Sequence, residues 1–238
     1  MKINVSEINT AFLSLIQNPN QIVFLDANVF IPPDKRNLGA TDRVHFPVYK
    51  NLLLTPLFQA FPRLSIHEAV NKEIIVESTE VRAFVDEKIS DSTYRMIVYK
   101  DADLDENSLF IRNTLEEKIY PHTKYNPDLD NANDRGEVKT LAYIGATNLL
   151  YFASNDQNAL RLVEAAEQLE TGLDSVSTLH IYEILYYFTK IQAVDQKELR
   201  ILYKYMYYYT AKEKKDNPSW GEFISIMDSY YAKLLSDL

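Results

Sequence analysis

Short, uninterrupted apolar runs alternate along this chain with longer stretches whose apolar residues recur at helical spacing. The first run, Ile22-Val23-Phe24-Leu25, stops abruptly at Asp26. An apolar run bounded by polar residues suits a strand buried on both faces. Arg63-Leu64-Ser65-Ile66, Leu149-Leu150-Tyr151-Phe152-Ala153 and Val176 to His180 read as three further strands. Phe46 to Ala60 has helical spacing, although Pro47 and Pro56 interrupt it. His67 to Glu80 reads as a helix with Ala69, Val70, Ile74 and Ile75 on its apolar side. Val81 to Tyr120 reads as two or three helices, broken at Asp101 to Asn107. Pro121 to Arg135 is rich in Pro, Asn and Asp and predicts a loop. Glu137 to Thr147 and Asn158 to Glu170 predict two more helices, and everything from Ile181 onward reads as helical, with breaks near Asp195 and Asn217-Pro218. Strands alternating with helices imply crossover connections, hence an α/β fold with a mostly parallel sheet.

Composition narrows the class. The 238 residues are 46% hydrophobic with 5 Gly and no Cys, which excludes collagen-like, disordered and disulfide-stapled proteins. No run approaches the ~18 apolar residues of a membrane span. Met1 to Asn20 lacks the order of a signal peptide, so a soluble, cytoplasmic protein is expected. The net charge of -9 offers no global field for nucleic acid. It reflects either ordinary solubility or carboxylates that converge and are neutralised by a divalent metal. The tyrosines are lopsided, with 10 of 17 in residues 172–238, including Tyr207-Tyr208-Tyr209. Core and interface filling is the first reading of that bias, and base stacking or a partner surface the second. Trp220, the only tryptophan, follows Pro218 and is placed to anchor the last helix.

In an open α/β sheet, ligands bind beyond the carboxyl ends of the strands. Asp26 follows the first strand and Asp156 the third, with Asn28 and Ser154 placed to support them. Glu73 and Glu137 lie early in helices that would point back toward the same edge. Singly, each acid could be a cap, a turn former or a partner of a helix dipole. Together they would be different. Two carboxylates about 4 Å apart repel by about 4 kcal/mol at an effective dielectric near 20, so a cluster calls for cations. Hard oxygen ligands in that number select Mg²⁺ or Mn²⁺. The four histidines (His45, His67, His122 and His180) show no metal-ligand spacing, and neither a Gly-rich phosphate loop nor a nucleophile elbow occurs. His67 could carry a proton, but packing or capping is the simpler role.

The order of these segments resembles the PIN-domain ribonucleases. Ile22-Val23-Phe24-Leu25-Asp26-Ala27-Asn28 resembles the family's first strand with its leading aspartate. Ile66-His67-Glu68-Ala69-Val70-Asn71-Lys72-Glu73-Ile74 resembles the second motif, with Glu73 as its acid and Glu68 as the competing choice. Gly136-Glu137-Val138-Lys139 resembles the Gly-Glu variant of the third, and Ser154-Asn155-Asp156 the fourth. The resemblance spans about 21–187. It implies a three-layer α/β/α sandwich over 1–190, followed by a helical C-terminal extension over 191–238. It also implies that Asp26, Glu73, Glu137 and Asp156 bind one or two Mg²⁺ or Mn²⁺ ions and hydrolyse phosphodiester bonds of an RNA substrate with metal-activated water. Asn28 and Ser154 would then orient the acids, and Lys72, Arg135 and Lys139 would hold phosphates or serve as solvated helix charges. Many relatives are toxins held by an antitoxin, which makes a protein partner an expectation, and a homodimer through the tail is a further one. The competing readings are a PIN-like module that binds RNA or protein without cutting, and a small-molecule phosphohydrolase using the same metals.

Overall fold

The structure, a computed structural model, describes residues 2–75, 79–93 and 95–236. Five strands form one parallel sheet: β1 (Val23–Leu25), β2 (Leu64–His67), β3 (Ile97–Tyr99), β4 (Tyr151–Ser154) and β5 (Ser177–His180), in the order β3-β2-β1-β4-β5. Helices flank the sheet, so the α/β class read from the apolar runs is the observed one. Register is fixed on both sides of β1: Val23 aligns with Leu64 and with Tyr151, and Leu25 aligns with Ala153. Every residue of β1, β2 and β4 is buried, as expected of strands covered on both faces. The chain leaves β1 for β2 on one side and returns through β4 on the other, so strand order reverses between β1 and β4. That reversal opens a crevice where ligands bind in doubly wound sheets.

Two sequence readings shift. β3 lies within 81–120, where the spacing predicts only helices. Its three residues are too few to show a period, and as an edge strand it leaves Ile97 exposed, unlike the buried runs. His67 ends β2, and the following helix starts at Glu68 rather than at His67. Its expected continuation to Glu80 crosses 76–78, which lie outside the described residues, and a helix resumes at Thr79–Ser90. Among the described residues, no helix is long and apolar enough to cross a membrane.

The chain groups into two compact units: 20–31 with 61–179, and 1–19 with 32–60 and 180–238. This grouping is discontinuous, whereas the sequence reading divides the chain once, at residue 190. In the sheet-bearing unit, Phe24 and Phe152 belong to one buried cluster with Leu115, Leu141, Ile144 and Leu162. Helix Glu106–Ile119 packs on helix Arg135–Ala146 where Gly145 meets Leu115: a Cβ on Gly145 would lie 2.7 Å from the leucine methyl.

The other unit is helical. Phe46 to Ala60 runs as helix throughout, with Pro47 in the first turn, where no N–H is needed, and a π-type turn over Lys50–Leu54 just before Pro56. That wider turn accommodates the bond and the space that a proline denies an α-helix. The expected break at Asp195 is a cap, its side chain accepting from the N–H groups of Lys197 and Glu198, and the one at Asn217-Pro218 separates helices Ala211–Asp216 and Trp220–Ser236; a further break falls at Thr210, which forms a capping box with Glu213. Tyr182, Tyr186, Tyr203, Tyr207 and Tyr231 are all buried, which is the core-filling role. Trp220 opens the last helix with its ring 5.1 Å from that of Tyr203.

Phe152 sits on a central strand and is fully buried. Phe152→Ala is expected to cost about 3–5 kcal/mol of stability, read as a lower urea midpoint at unchanged slope.

Candidate metal centre at the sheet reversal

The parallel register puts Asp26 beside Ser154, one step past the Leu25–Ala153 pair, and the Asp26 N–H donates to the Ala153 carbonyl at 3.0 Å. The Asp26 side chain is only 2% exposed. Its Oδ1 accepts from the Ala27 N–H at 2.7 Å, and its Oδ2 accepts from the Ser154 hydroxyl at 2.8 Å and from the Asn28 amide. Asn28 ties the same ends together: its Nδ2 donates to Ser154 Oγ at 3.0 Å, and its Oδ1 accepts from the Asn155 N–H at 2.8 Å. Ser154 Oγ accepts in turn from the Asp156 N–H at 2.9 Å, and Asp156 caps the next helix through the Asn158 N–H at 2.7 Å. Asn28 and Ser154 thus occupy the supporting positions expected of them, holding Asp26 and Asp156 on adjacent strand ends.

Glu73 and Glu137 join from two helices. Glu73 Oε1 accepts from the Gly136 N–H at 2.7 Å, and a Cβ on residue 136 would fall 2.5 Å from Glu73 Oε2. Only glycine lets the opening turn of helix Arg135–Ala146 approach the carboxylate this closely. Glu137, half-buried, follows in that same turn.

The four acids act on one another through their charges. Burial raises Asp26 to about 7, against the pull of its Ser154 and Ala27 hydrogen bonds, and the charges of Glu73 and Asp156 add to the rise. Burial also raises Glu137 to about 9, helped by the charges of Asp26, Asp156, Asp134 and Glu73. Oxygen donors of this kind suit a hard divalent cation, although among the described residues the group whose ligand atoms all lie within 4.8 Å of one another is His67, Glu68 and Asp101 rather than these four.

The expected phosphate contacts are already occupied. Lys72 pairs with Glu68 at 3.0 Å, while Arg135 and Lys139 both reach Asp130. Asp130 takes a left-handed backbone in the Asn/Asp loop and accepts from Tyr125 Oη at 2.9 Å. Glu68, the competing second acid, belongs to another network: it accepts from the Asp101 N–H at 3.2 Å. Burial pushes Glu68 up, but Lys72 and that N–H prevail and hold it below the ordinary range.

That second network was missed in the sequence. Beyond β2 and β3, His67, Glu68 and Asp101 bring ligand atoms within 4.8 Å of one another. His67 Nδ1 accepts from the Ala69 N–H at 3.3 Å, which leaves the proton on Nε2, facing Asp101 at 3.2 Å. The buried Arg112 pairs with Asp101 at 3.0 Å and also with Glu116. Each acid here has a basic partner and both imidazole nitrogens are engaged, which is the pattern of a structural network. The available signal was Ile97-Val98-Tyr99 followed by Asp101, the same apolar-run-then-aspartate order as at Asp26.

Comparison of the chain with protein-family models, with curated proteins and with solved structures gives no match.

Two outcomes test this geometry. Gly136→Ala should shift the flexible Glu73 carboxylate and change stability by less than about 1 kcal/mol, and the change should be more favourable in a Glu73→Ala background, a coupling measurable by a double-mutant cycle. Glu137, raised in the folded chain, ionises first in the unfolded chain, so the metal-free fold loses stability as pH climbs above the ordinary glutamate value. Glu137→Gln should therefore be more stable than wild type in EDTA at pH 7.5, by on the order of 2–4 kcal/mol. The gain should vanish near pH 4, as followed by urea unfolding across that range.

Proposed function

We propose that this chain is a metal-dependent ribonuclease of the PIN-domain kind, cutting phosphodiester bonds of RNA. The observation that carries the reading is that Asp26 and Glu137 are buried at the sheet reversal and raised above the ordinary carboxylate range by that burial and by the charges of neighbouring acids, Glu73 and Asp156 among them. Buried carboxylates raised well above their ordinary range collect at functional sites, whereas Asp101 is held below its own. Asp26, Glu73, Glu137 and Asp156 would hold one or two Mg²⁺ or Mn²⁺ ions. Such an ion, when bound, activates water at neutral pH and screens charge on a transferring phosphoryl group.

The chain's own part is orientation. Ser154 and Asn28 hold the Oδ2 side of Asp26, and the Gly136 N–H holds Glu73. These bonds fix acceptor directions before a cation or substrate arrives, which lowers the reorganisation needed on binding. Lys72, Arg135 and Lys139 would meet substrate phosphates by exchanging Glu68 and Asp130 for them.

The test is cleavage of a mixed panel of single-stranded and structured RNA, with Mn²⁺ or Mg²⁺ against EDTA. Asp26→Asn should lose at least about 100-fold of the metal-dependent rate, and Ser154→Ala about 10- to 100-fold, with circular dichroism unchanged. Equal cutting by wild type and Asp26→Asn would sink the reading. Metal-dependent release of phosphate from a small ester, with RNA left intact, would transfer the site to a phosphohydrolase. Tight metal and RNA binding without turnover would make the chain a binding module.

A further inference from the structure

We propose that an open groove in the helical unit binds single-stranded RNA, stacking bases on tyrosine rings and meeting phosphates with lysine. The groove encloses about 950 Å³ and is bordered by Tyr205, Tyr208, Tyr209, Lys204, Lys214 and Ile201, among others. It draws on none of the four acids at the sheet reversal.

Six tyrosines of this unit are buried in its core, Tyr49 among them, whereas Tyr205, Tyr208 and Tyr209 are partly exposed and line the groove. Tyr205 and Tyr209 are held by their hydroxyls rather than by burial. Tyr205 Oη accepts from the Lys35 N–H at 3.1 Å and donates to the Asp42 carbonyl at 3.1 Å, and Tyr209 Oη donates to the Gly39 carbonyl at 2.9 Å. Their ring centroids are 5.9 Å apart, inclined at 49°. Rings fixed at their polar ends lose little freedom when a planar ligand settles on them. Among the described residues, no hydrogen bond is seen at the Tyr208 hydroxyl.

Charge points the same way. In a chain of net charge -9, the described lining residues include two lysines and no acid. Neither Lys204 nor Lys214 pairs with a carboxylate among the described residues. The nearby Glu213 is turned away from that duty, bound to Lys35 and to the N–H groups of Tyr209 and Thr210. An acidic peptide would satisfy the lysines but leave the ring faces unused. A single strand presents a base and a phosphate in every nucleotide, which matches both features.

The experiment is fluorescence anisotropy of labelled decauridylate with the full chain in EDTA, so that cleavage plays no part. Wild type should bind the single strand more tightly than a decauridylate–decaadenylate duplex. Tyr208→Ala should weaken binding at least about fivefold, while Tyr208→Phe retains it, because stacking needs the ring and not the hydroxyl. Lys204→Gln and Lys214→Gln should each flatten the salt dependence by about 0.7 in log–log slope. No binding by wild type, or unchanged binding by Tyr208→Ala, overturns the proposal. So does a polyglutamate peptide that binds where decauridylate does not, which would make the groove a protein-docking site. Asp26→Asn should bind as wild type does. A chain that binds through Tyr208 yet cuts nothing leaves this inference standing and removes only the nuclease reading.

Discussion

Asp26 is a carboxylate with almost no access to water, placed where β1 gives out into the crevice, and its desolvation governs everything built around it. Burying such a group is costly unless donors or cations replace the lost water. Three donors are supplied, from the Ala27 backbone, the Ser154 hydroxyl and the Asn28 amide. They join β1 to β4 at the point where strand order reverses, so the hydrogen bonds that make the acid tolerable also define the geometry of the edge. They are nevertheless insufficient, because burial and two neighbouring acids still raise the group well above its ordinary range.

The two ends of the same sheet edge solve one electrostatic problem differently. Beyond β2 and β3, Asp101 is also partly buried, yet His67 and Arg112 outweigh that burial and hold it below the ordinary range. Beyond β1 and β4, burial prevails on Asp26 and Glu137, and the charges of neighbouring acids add to it. A compensated network adds order to the fold. Acids raised by burial and by one another store unfavourable energy that a bound cation would release, and this asymmetry makes the edge beyond β1 and β4 a candidate for chemistry and the one at Asp101 a part of the scaffold.

In the helical unit, the distribution of tyrosine follows from its two-sided chemistry. A buried ring contributes area and asks for one partner at its hydroxyl, as Tyr182 finds in the Asn4 carbonyl and Tyr203 in the Pro218 carbonyl. A ring anchored by the hydroxyl alone leaves its face available, as Tyr205 and Tyr209 do. Composition flags the enrichment, but the same residue type serves both ends.

How far the chain could be read without coordinates depends on the range of the interaction. Abrupt apolar runs ending in aspartate announced β1 and β4, because burial on both faces leaves a local trace in sequence, and the supporting positions of Asn28 and Ser154 followed from proximity to those ends. β3 left too short a trace, and His67 took the last place in β2 rather than the first in a helix because a buried, hydrogen-bonded ring can close a strand as well as cap a turn. The partners of each charge could not be read at all. Glu68 and Glu73 sit five residues apart on one helix, and only the folded chain sends one to Lys72 and Asp101 and the other to Gly136 and the acids beyond β1. Sequence determined which residues could carry charge to the edge of a parallel sheet. Tertiary structure decided which charges meet and which are neutralised, because Coulomb energy and desolvation depend on distances between separate segments of the chain, and local pattern carries no measure of those.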